Sequence, residues 1–324
     1  DTDLRVMHVM GGGDVGGAKT QIMNTVTGLS RTNDVMLISF RAGPFADEAR
    51  ERGIDVRVIE RHNPFRAART MRDLVDEFKP DIIHCHGGRA NLMGAMVRRS
   101  RRIPIITTVH SDYRLDYLGS PLKQHTLGTA NAIALRFLDF YQPVADRMAR
   151  TLIERGFDPE RIVKIYNGME FNRPEGEFDR AAYLRETYGA EIEEGDVLCG
   201  IAARLTAVKD IATTVRGFAE ALKTAPQLRL FIAGDGEDAD MLKKLCDQLG
   251  VRERVTFCGW VSPVMPFFRA MDINLLSSVS ETFPYSILEG VCAGCATICS
   301  DVGGMPELID TGENGYIFPV GDDK

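Results

Sequence analysis

The chain has 324 residues, 44% of them hydrophobic, and carries a formal net charge of −7. This length and apolar content suffice for two domains with proper cores, and because no apolar run approaches twenty residues we expect no transmembrane helix, nor a signal peptide at the start of the sequence. The seven cysteines are odd in number and lie mostly in strand or helix patterns, which predicts reduced thiols in a cytosolic protein rather than a disulfide framework.

Charge is distributed unevenly along the chain. Residues 1–170 carry 25 Lys and Arg against 21 Asp and Glu, whereas residues 171–324 carry 14 against 25. A basic half and an acidic half suggest different partners, although drift of surface charge without function gives the same counts. The densest basic cluster, Arg98–Arg102, lacks interleaved aromatic residues, so the sequence predicts no nucleic-acid partner. A solvated helix end, or contact with anionic lipid headgroups, fits this cluster better.

The first half alternates short apolar segments with helical patterns, which predicts a parallel, doubly wound sheet. The predicted strands are Leu4–Met10, Val35–Phe40, Val56–Ile59, Ile82–Cys85, Ile103–Val109 and Tyr141–Val144. The predicted helices between them include Pro44–Arg52, Arg66–Phe78, Ala90–Arg98 and Asp146–Arg155.

A glycine-rich segment, Gly11–Gly17, joins the first strand to a helix. Strand, glycine-rich turn and helix form the unit in which the backbone can approach a phosphate closely. The spacing does not match G-x-G-x-x-G followed by an acidic residue about twenty positions later, so a dinucleotide site is weakly indicated. A tight turn without a ligand is the alternative.

Three histidines stand where predicted strands of the first half end: His84, His86 and His110. Ligands of open α/β sheets bind at the carboxyl ends of strands, which is where these residues emerge. His84 and His86 form a His-x-His pair that could ligate a metal, but no third ligand is evident in the sequence. A structural role is the alternative for each histidine.

The segment Asn172–Asp179, with a proline and a glycine, is the predicted linker, so the predicted domains are residues 1–170 and 171–324. The second half repeats the alternation of strand and helix. Its predicted strands are Val197–Ala202, Leu228–Ala233, Val255–Cys258, Asp272–Leu276 and Ala296–Cys299. Its predicted helices include Arg180–Tyr188, Ile211–Leu222 and Asp238–Leu249.

Loops at three strand ends of the second half carry candidate ligand-binding residues. Arg204 and Lys209 lie five positions apart between a strand and a helix, where a forked guanidinium and a compact ammonium suit a diphosphate; surface salt bridging is the alternative. Gly234 begins a G-x-G turn after the next strand. Trp260 follows the third strand and could stack on a nucleobase or simply lie on the surface. No Asp-x-Asp stands at a strand end, so a metal-chelating pair of that kind is unsupported.

The segment Ser280–Glu289 carries two carboxylates eight positions apart. Pro284 suits the first turn of a helix that the apolar pattern predicts to end at about Ala293. Glu281 then lies on the loop before the helix, and Glu289 lies on the helix itself. Unpaired amides at the positive end of a helix dipole form an anion site; the residues predicted to frame it are Phe283, Pro284, Tyr285 and Ser286. In isolation, Glu281 could merely cap the helix and Glu289 could belong to a solvated face.

Together these motifs resemble the nucleotide-sugar-dependent glycosyltransferases of family four, which are retaining enzymes with the GT-B fold. The resemblance spans nearly all of the chain. It implies two Rossmann-like, doubly wound parallel-sheet domains facing each other across a cleft, with the acceptor mainly on the first and the donor nucleotide mainly on the second. The segment KIYNGMEF resembles the turn P-N-G-V-D that ends the first domain in the family, but Tyr166 replaces Pro and Glu170 replaces Asp. We therefore take it as a boundary marker only.

The resemblance also implies roles for the carboxylates and glycines. In the family the first glutamate contacts the hydroxyls of the donor sugar and the second holds the ribose, roles that fall here on Glu281 and Glu289. Gly16 and Gly17 match the paired glycines that let the donor diphosphate and the acceptor approach. The loop Gly259–Val261, which contains Trp260, corresponds to the place where the nucleobase is read.

The remaining implied roles concern the reaction. His110 matches the sugar-contacting histidine, and Arg204 with Lys209 matches the phosphate-binding pair, so the implied catalytic set is these three residues and Glu281. The implied reaction moves a sugar from a nucleotide-diphosphate donor, most simply a UDP-sugar, to a glycan or lipid-linked acceptor with retention. It requires neither a metal nor another cofactor.

Two alternatives of other classes stay open: a nucleotide-sugar epimerase of the same fold, and a non-catalytic sugar-nucleotide binding protein. A cytoplasmic location is expected, with peripheral contact of the basic first half at the inner face of the membrane. Enzymes of the family usually continue past a point like Val320–Lys324 into further helices, so a truncated chain is expected as well.

Overall fold

The computed structural model describes residues 3–12, 17–61, 63–110, 124–171 and 176–324. The chain divides into two compact units, Asp1–Gly168 and Met169–Lys324. Each unit contains a six-stranded sheet in which every described pairing of strands is parallel.

The first unit contains one doubly wound sheet with the strand order β3-β2-β1-β4-β5-β6. Its strands are β1 (Arg5–Met10), β2 (Asp34–Ser39), β3 (Asp55–Val58), β4 (Ile82–His86), β5 (Ile105–Val109) and β6 (Phe140–Pro143). Its helices are α1 (Gly17–Leu29), α2 (Pro44–Glu51), α3 (Pro64–Phe78), α4 (Gly88–Arg98), α5 (Thr129–Leu135) and α6 (Asp146–Glu154). The order of connection reverses between β1 and β4, which is where such sheets open a crevice for ligands.

The sequence explains these elements locally. Five of the six residues of β1 are buried, as expected for a parallel strand covered on both faces. Helix α3 begins where the Asn63 side chain accepts hydrogen bonds from the amides of Phe65 and Arg66, at 3.0 and 3.1 Å, and it ends before Lys79 in the left-handed conformation. Its apolar face, which includes Met71, packs into the core of the sheet.

The second unit repeats the arrangement with the strand order β12-β11-β10-β7-β8-β9. Its strands are β7 (Val197–Ala202), β8 (Leu228–Ala233), β9 (Val255–Gly259), β10 (Ile273–Leu276), β11 (Ala296–Ser300) and β12 (Gly315–Phe318). Its helices are α7 (Arg180–Tyr188), α8 (Ile211–Ala221), α9 (Ala239–Gln248), α10 (Met265–Ala270), α11 (Tyr285–Ala293) and α12 (Met305–Leu308). The order reverses between β10 and β7. The predicted fold class, two Rossmann-like domains each with a doubly wound parallel sheet, is confirmed.

Several short elements were not predicted. Strand β12 has four residues, and helices α10 and α12 have six and four, which is too short for an apolar period to identify them. The apolar stretch before the boundary motif forms an isolated bridge between Tyr141 and Ile162, and the Val163 and Ile165 amides donate to carbonyl groups of β6, but it is not a strand of the sheet. Half of the predicted linker, residues 172–175, lies outside the described residues.

Two surface expectations can be compared with the structure. The structure describes all seven cysteines; none of them forms a disulfide and six are buried, as expected for reduced thiols. In the basic cluster, Arg98 pairs with Asp139 through its Nε and Nη2, and Arg101 pairs with Asp76 in the same two-pronged way. Half of the four arginines are therefore engaged within the protein. Among the described residues, no helix is both long and apolar enough to span a bilayer.

Candidate functional site

Two loops meet at the carboxyl edge of the second sheet, although they are about seventy residues apart in the chain. One follows β7 and the other follows β10, and these strands are neighbours at the point where the strand order reverses. The Val279 amide donates to the Val208 carbonyl at 2.9 Å, and the Ser277 hydroxyl donates to the Asp210 carbonyl at 2.8 Å. Backbone and hydroxyl bonds therefore hold the two loops in register.

An ion pair between Lys209 and Glu281 joins the side chains of these loops. Glu281 Oε1 also accepts a hydrogen bond from the Ser278 hydroxyl at 2.8 Å. The lysine side chain is 21% exposed and the glutamate side chain 12%, so both charges are shielded from solvent and each needs the other. The structure thus brings together two predicted residues, one assigned to the diphosphate and one to the sugar.

Arg204 lies on the same loop as Lys209 but is arranged differently. It is exposed and forms no ion pair within the described ranges of the chain. The backbone on either side is fixed, because the Ala203 amide donates to Ala233 at 3.0 Å and the Leu205 amide donates to Asp235 at 2.9 Å. A guanidinium on a fixed loop can bind an anion without rearranging the backbone.

The predicted G-x-G turn packs against the loop of Arg204. A Cβ atom on Gly234 would lie 1.8 Å from the Ala203 carbonyl oxygen, and one on Gly236 would lie 2.1 Å from that of Leu205. Gly234 also has a φ of +138°, which residues with a side chain rarely adopt. Close approach between two backbones therefore explains both glycines. The predicted contact of Gly234 with the donor stays a prediction.

Helix α11 begins one residue later than predicted, at Tyr285, and Pro284 is its N-cap rather than a member of the first turn. The extended conformation of Pro284 explains the difference, because the helical dihedral angles start only after it. The Pro284 side chain provides no capping hydrogen bond, and Ser286 is half-buried in the first turn of the helix. Phe283, Pro284 and Tyr285 are buried and fix the start of the helix to the core.

A glycine pair after β11 supports the same loop. Gly303 has a φ of +52°, and a Cβ atom there would lie 2.4 Å from the Glu281 carbonyl oxygen. The Gly304 amide donates to the Thr282 carbonyl at 2.6 Å. The backbone of Glu281 is therefore held between β10 and β11, which limits where its carboxylate can lie.

Glu289 lies on α11 and is half-buried. It forms no hydrogen bond or ion pair with any residue that the structure describes. Burial raises the pKa of its carboxyl group above the ordinary value. A half-buried carboxylate with open acceptor capacity suits a ligand that offers hydroxyl donors.

For the other predicted donor residues, the structure gives the position in the fold but no contact that bears on donor binding. Trp260 follows β9 and is 71% exposed, so its ring is available at the surface. Gly17 is the first residue of α1, and Gly16 lies outside the described residues.

The histidines of the first unit form a chain that includes one residue the sequence reasoning missed. His8 Nδ1 lies 3.1 Å from His86 Nε2, and His86 Nδ1 lies 3.4 Å from His110 Nε2. The corresponding ring centroids are 5.4 and 5.7 Å apart. Each centroid separation exceeds the matching N···N distance by 2.3 Å, and this difference is about the sum of the two ring radii. The rings therefore meet edge to edge, as linear hydrogen bonds require.

The direction of this chain follows from its buried end. His8 Nε2 is buried and has no hydrogen-bond partner among the residues that the structure describes, and an orphaned buried N–H is rarer in proteins than an unpaired acceptor. We therefore infer that the proton of His8 lies on Nδ1 and is donated to His86 Nε2, and that the Nδ1–H of His86 is donated to His110 Nε2. Burial lowers the pKa of His8 and of His110 to about 4, so both rings are neutral at pH 7 and carry one proton each.

The same cluster answers the question of a third metal ligand. Ring nitrogens of His8, His84 and His86 lie within 4.8 Å of one another, so His8 is the third candidate ligand that was not evident from the sequence. However, His84 Nε2 is 2.7 Å from the Thr108 hydroxyl, and His8 and His86 face each other at hydrogen-bonding distance. Ligands of a tetrahedral zinc would point towards a common centre instead. The described geometry is that of a hydrogen-bonded cluster.

The register of the sheet gives the signal that could have identified His8. His8 pairs directly with His84, and His86 pairs with Thr108, in parallel ladders. A histidine within an apolar strand is conspicuous once the strand order is known, because it must find a polar neighbour. The order β1-β4-β5 supplies that neighbour.

Comparison with known proteins covers both units. Residues 15–173 match the profile described as Glycosyltransferase Family 4, and residues 189–324 match the profile described as Glycosyl transferases group 1. The chain belongs to the group 1 glycosyltransferases. The group 1 profile covers the loops of Arg204, Lys209 and Glu281, and the family 4 profile covers the histidine residues 84, 86 and 110.

Individual relatives agree with this family. The chain is 29% identical over 261 residues to an uncharacterized glycosyltransferase, MJ1607, of Methanocaldococcus jannaschii, covering 76% of this chain and 64% of that protein. It is 27% identical over 266 residues to N-acetyl-alpha-D-glucosaminyl L-malate synthase of Bacillus anthracis, covering 79% and 65%. The chain thus spans slightly less than two thirds of the length of these two relatives.

Solved structures agree on the fold. The Alr3699/HepE protein of Anabaena, crystallised in complex with UDP, superposes with a TM-score of 0.84 at 20% identity and covers 99% of this group 1 glycosyltransferase and 87% of that chain. A glycosyltransferase of Rickettsia africae gives a TM-score of 0.84 at 17% identity, covering 100% and 86%.

The raised pKa of Glu289 gives a prediction about stability. The folded protein favours the protonated carboxyl group, so the stabilisation from this group is present at low pH and is lost as the pH rises through the folded-state pKa. Replacing Glu289 by Gln removes this loss, so E289Q should raise the melting temperature more at pH 8 than at pH 5. Thermal melts of both proteins at the two pH values measure the difference.

The control is E253Q, which neutralises an exposed carboxylate in the same unit. It should shift the melting temperature little and similarly at both values. A decrease for E289Q at pH 8, or an equal effect at both values, would show that Glu289 is not an uncompensated buried charge.

The histidine chain predicts the tautomers of three rings. In protein labelled with ¹⁵N in its histidine side chains, His8, His86 and His110 should all carry the proton on Nδ1 at neutral pH. H8L removes the first donor, so His86 and His110 should lose this preference. H8N places an amide N–H near the position of Nδ1 and should retain it. Long-range ¹H–¹⁵N spectra measure each tautomer directly.

The matched control is H84N, which alters a buried ring of the same cluster whose described hydrogen bond is with Thr108 rather than with His8, His86 or His110. It should leave the tautomer of His110 unchanged. Nε2–H on His110 in the unaltered protein, or the same tautomer in H8L, would contradict the chain.

Proposed function

We propose that this chain transfers a sugar from a nucleotide-diphosphate donor to a hydroxyl group of an acceptor. The observation that carries the proposal is the ion pair between Lys209 and Glu281 at the strand-order reversal of the second sheet, on loops that also carry Arg204 and lead into α11. Cations near the positive end of a helix dipole suit a diphosphate, and carboxylates suit sugar hydroxyls. One edge of the sheet thus offers complementary groups for both parts of a nucleotide-sugar.

The donor we favour is a UDP-sugar. The Anabaena HepE protein, which shares the fold, has been crystallised with UDP and with UDP-glucose. In the present chain, Glu289 would accept hydrogen bonds from the ribose hydroxyls, because it is half-buried on the helix that begins at the proposed diphosphate site. Trp260 would stack on the base.

The proposed reaction proceeds with retention of configuration. The bond between the anomeric carbon and the diphosphate oxygen breaks, and Arg204 and Lys209 stabilise the charge that develops on the departing diphosphate. The acceptor hydroxyl forms the new bond on the same face, and a phosphate oxygen of the leaving group takes its proton. Glu281 and His110 orient the sugar. No metal is needed in this scheme, since the two cations carry the electrostatic role.

The ion pair between Lys209 and Glu281 fits this scheme. A diphosphate would compete with Glu281 for the ammonium group, since phosphate oxygens are strong acceptors with more charge. Glu281 would then turn its open acceptor positions to the hydroxyls of the sugar, while Ser278 keeps it oriented. Before the donor binds, the charges of Lys209 and Glu281 neutralise each other. The diphosphate of the donor then takes the place of Glu281 at the ammonium group.

The acceptor we propose is a glycan or a lipid-linked molecule, reached from the cytoplasm at the inner face of a membrane. The basic cluster of the first unit supports this location only in part, because Arg98 and Arg101 are held by Asp139 and Asp76. Arg99 and Arg102 are exposed and available for anionic headgroups. An epimerase of the same fold would convert the donor without any acceptor, so analysis of products in the absence of acceptor separates the two functions.

Arg204 provides the sharpest test of the donor site. It is exposed, so R204A should fold normally, but it should bind UDP at least tenfold more weakly because a hydrogen bond to a charged group is commonly worth about 1.5–3 kcal/mol. Binding of uridine, which lacks the diphosphate, should not change. Isothermal titration with UDP and with uridine measures both affinities.

The control is R185A, which removes an exposed arginine from α7 in the same unit. It should bind UDP as the unaltered protein does. Equal UDP affinity in R204A and the unaltered protein would refute the proposed clamp. The same pair of variants can be followed in transfer assays, where loss of one stabilising donor typically costs about 2–4 kcal/mol of transition-state energy.

A further inference from the structure

A cavity of about 430 Å³ opens at the carboxyl ends of β2 and β3 in the first unit. The residues that line it are Phe40, Arg41, Glu60, Arg61 and Arg89. Two of them follow directly after β2, two follow β3, and Arg89 lies in the first turn of α4. The cavity thus lies at the edge of the sheet where open α/β folds bind their ligands.

The charges around this cavity do not balance. Three guanidinium groups face a single carboxylate, and none of the three arginines forms an ion pair with a residue that the structure describes. The Glu60 carboxylate accepts a hydrogen bond from the Ala42 amide at 3.3 Å. Like charges placed together without a counter-charge repel one another, and a bound anion offsets that repulsion.

Arg89 is held in place as the fixed member of the group. Its Nη2 donates to the Arg61 carbonyl at 2.9 Å, and its guanidinium lies over the Phe40 ring at 4.8 Å from the centroid. Phe40 is buried, so it forms a rigid base for this stacking. Burial, together with the charge of Arg41, lowers the pKa of Arg89, as expected where cations converge. One of the three cations is therefore held in position before any ligand binds.

We propose that this cavity binds the anionic group, a phosphate or a carboxylate, of the acceptor. Its volume lies within the range of about 300–1,000 Å³ that is usual for small-molecule sites. Arginine forks match the planar oxygen pairs of both groups. The assignment to the acceptor rests on the proposed function, whereas anion binding itself does not. The group could belong to a soluble sugar phosphate or to the headgroup of a lipid.

Two substitutions of opposite sign test the anion site. R61Q removes a cation, and the affinity for inorganic phosphate and for glycerol phosphate should fall about tenfold or more, as expected for loss of a charged hydrogen bond. E60Q removes the carboxylate but keeps an acceptor oxygen for the Ala42 amide, so the affinity for both anions should rise. Isothermal titration at low ionic strength measures the affinities.

The control is R69Q, which removes an exposed arginine of α3 that does not line the cavity. It should bind phosphate as the unaltered protein does. An equal loss in R69Q and R61Q would indicate a general charge effect, and no response to either anion would refute the site. A decrease in E60Q would also contradict it.

Co-sedimentation with vesicles distinguishes the two sources of the anion. Binding to phosphatidylglycerol vesicles but not to phosphatidylcholine vesicles, reduced in R61Q and retained in R69Q, would assign the cavity to a lipid headgroup. Binding of glycerol phosphate without vesicle binding would assign it to a soluble acceptor. UDP affinity should be unchanged in all three variants, so failure of the cavity proposal is separable from failure of the proposed donor site.

Discussion

The ion pair between Lys209 and Glu281 is the contact on which the second unit's candidate site depends. It joins two loops that are neighbours only because parallel strands β7 and β10 lie side by side where the strand order reverses. Backbone bonds hold the loops together, and glycines at 234, 236 and 303 allow other backbones to approach them closely. The sheet therefore determines where the two charged groups lie. Because Lys209 and Glu281 neutralise each other, both side chains can be partly buried.

The first unit also gathers polar side chains where its strand order reverses, but the residues there are histidines rather than an ion pair. Its strand order also reverses, between β1 and β4, and three histidines from β1, β4 and the end of β5 meet there. Because the buried end, His8 Nε2, has no partner in the described part of the chain, we infer a single direction for these hydrogen bonds and hence a single tautomer of His110. Further along the same edge, beyond β2 and β3, the arginine cavity presents positive charge. Each unit thus concentrates polar groups at the carboxyl ends of its strands.

Much of the fold can be predicted from the sequence, because apolar runs and turn residues are local signals. The bounds of β7, β8 and α7 were predicted to the residue, and α11 ends at the predicted Ala293. The contacts that make the sites are not local. His8 reads as one residue of an apolar strand, and Lys209 and Glu281 were assigned to different parts of the donor. Only the strand order shows that His8 meets His86 and that Lys209 meets Glu281.

The arginine cavity illustrates the same limit. Arg41, Arg61 and Arg89 are separated by twenty or more residues and look like ordinary surface charges in the sequence. They converge because β2, β3 and α4 end or begin at one edge of the sheet. Conversely, the run of four arginines that stood out in the sequence is half engaged in internal ion pairs. Density of charge along the chain is a poor guide to where unpaired charge gathers in space.

The most direct test of the donor site is hydrogen–deuterium exchange measured by mass spectrometry with and without UDP. We predict that UDP slows exchange in peptides covering residues 203–210 and 277–289, because the diphosphate would bind the loops after β7 and β10 and the first turn of α11. Peptides covering the arginine cavity should be unaffected. Protection elsewhere, with these two loops unchanged, would contradict the central claim that Arg204, Lys209 and Glu281 form the nucleotide-sugar site.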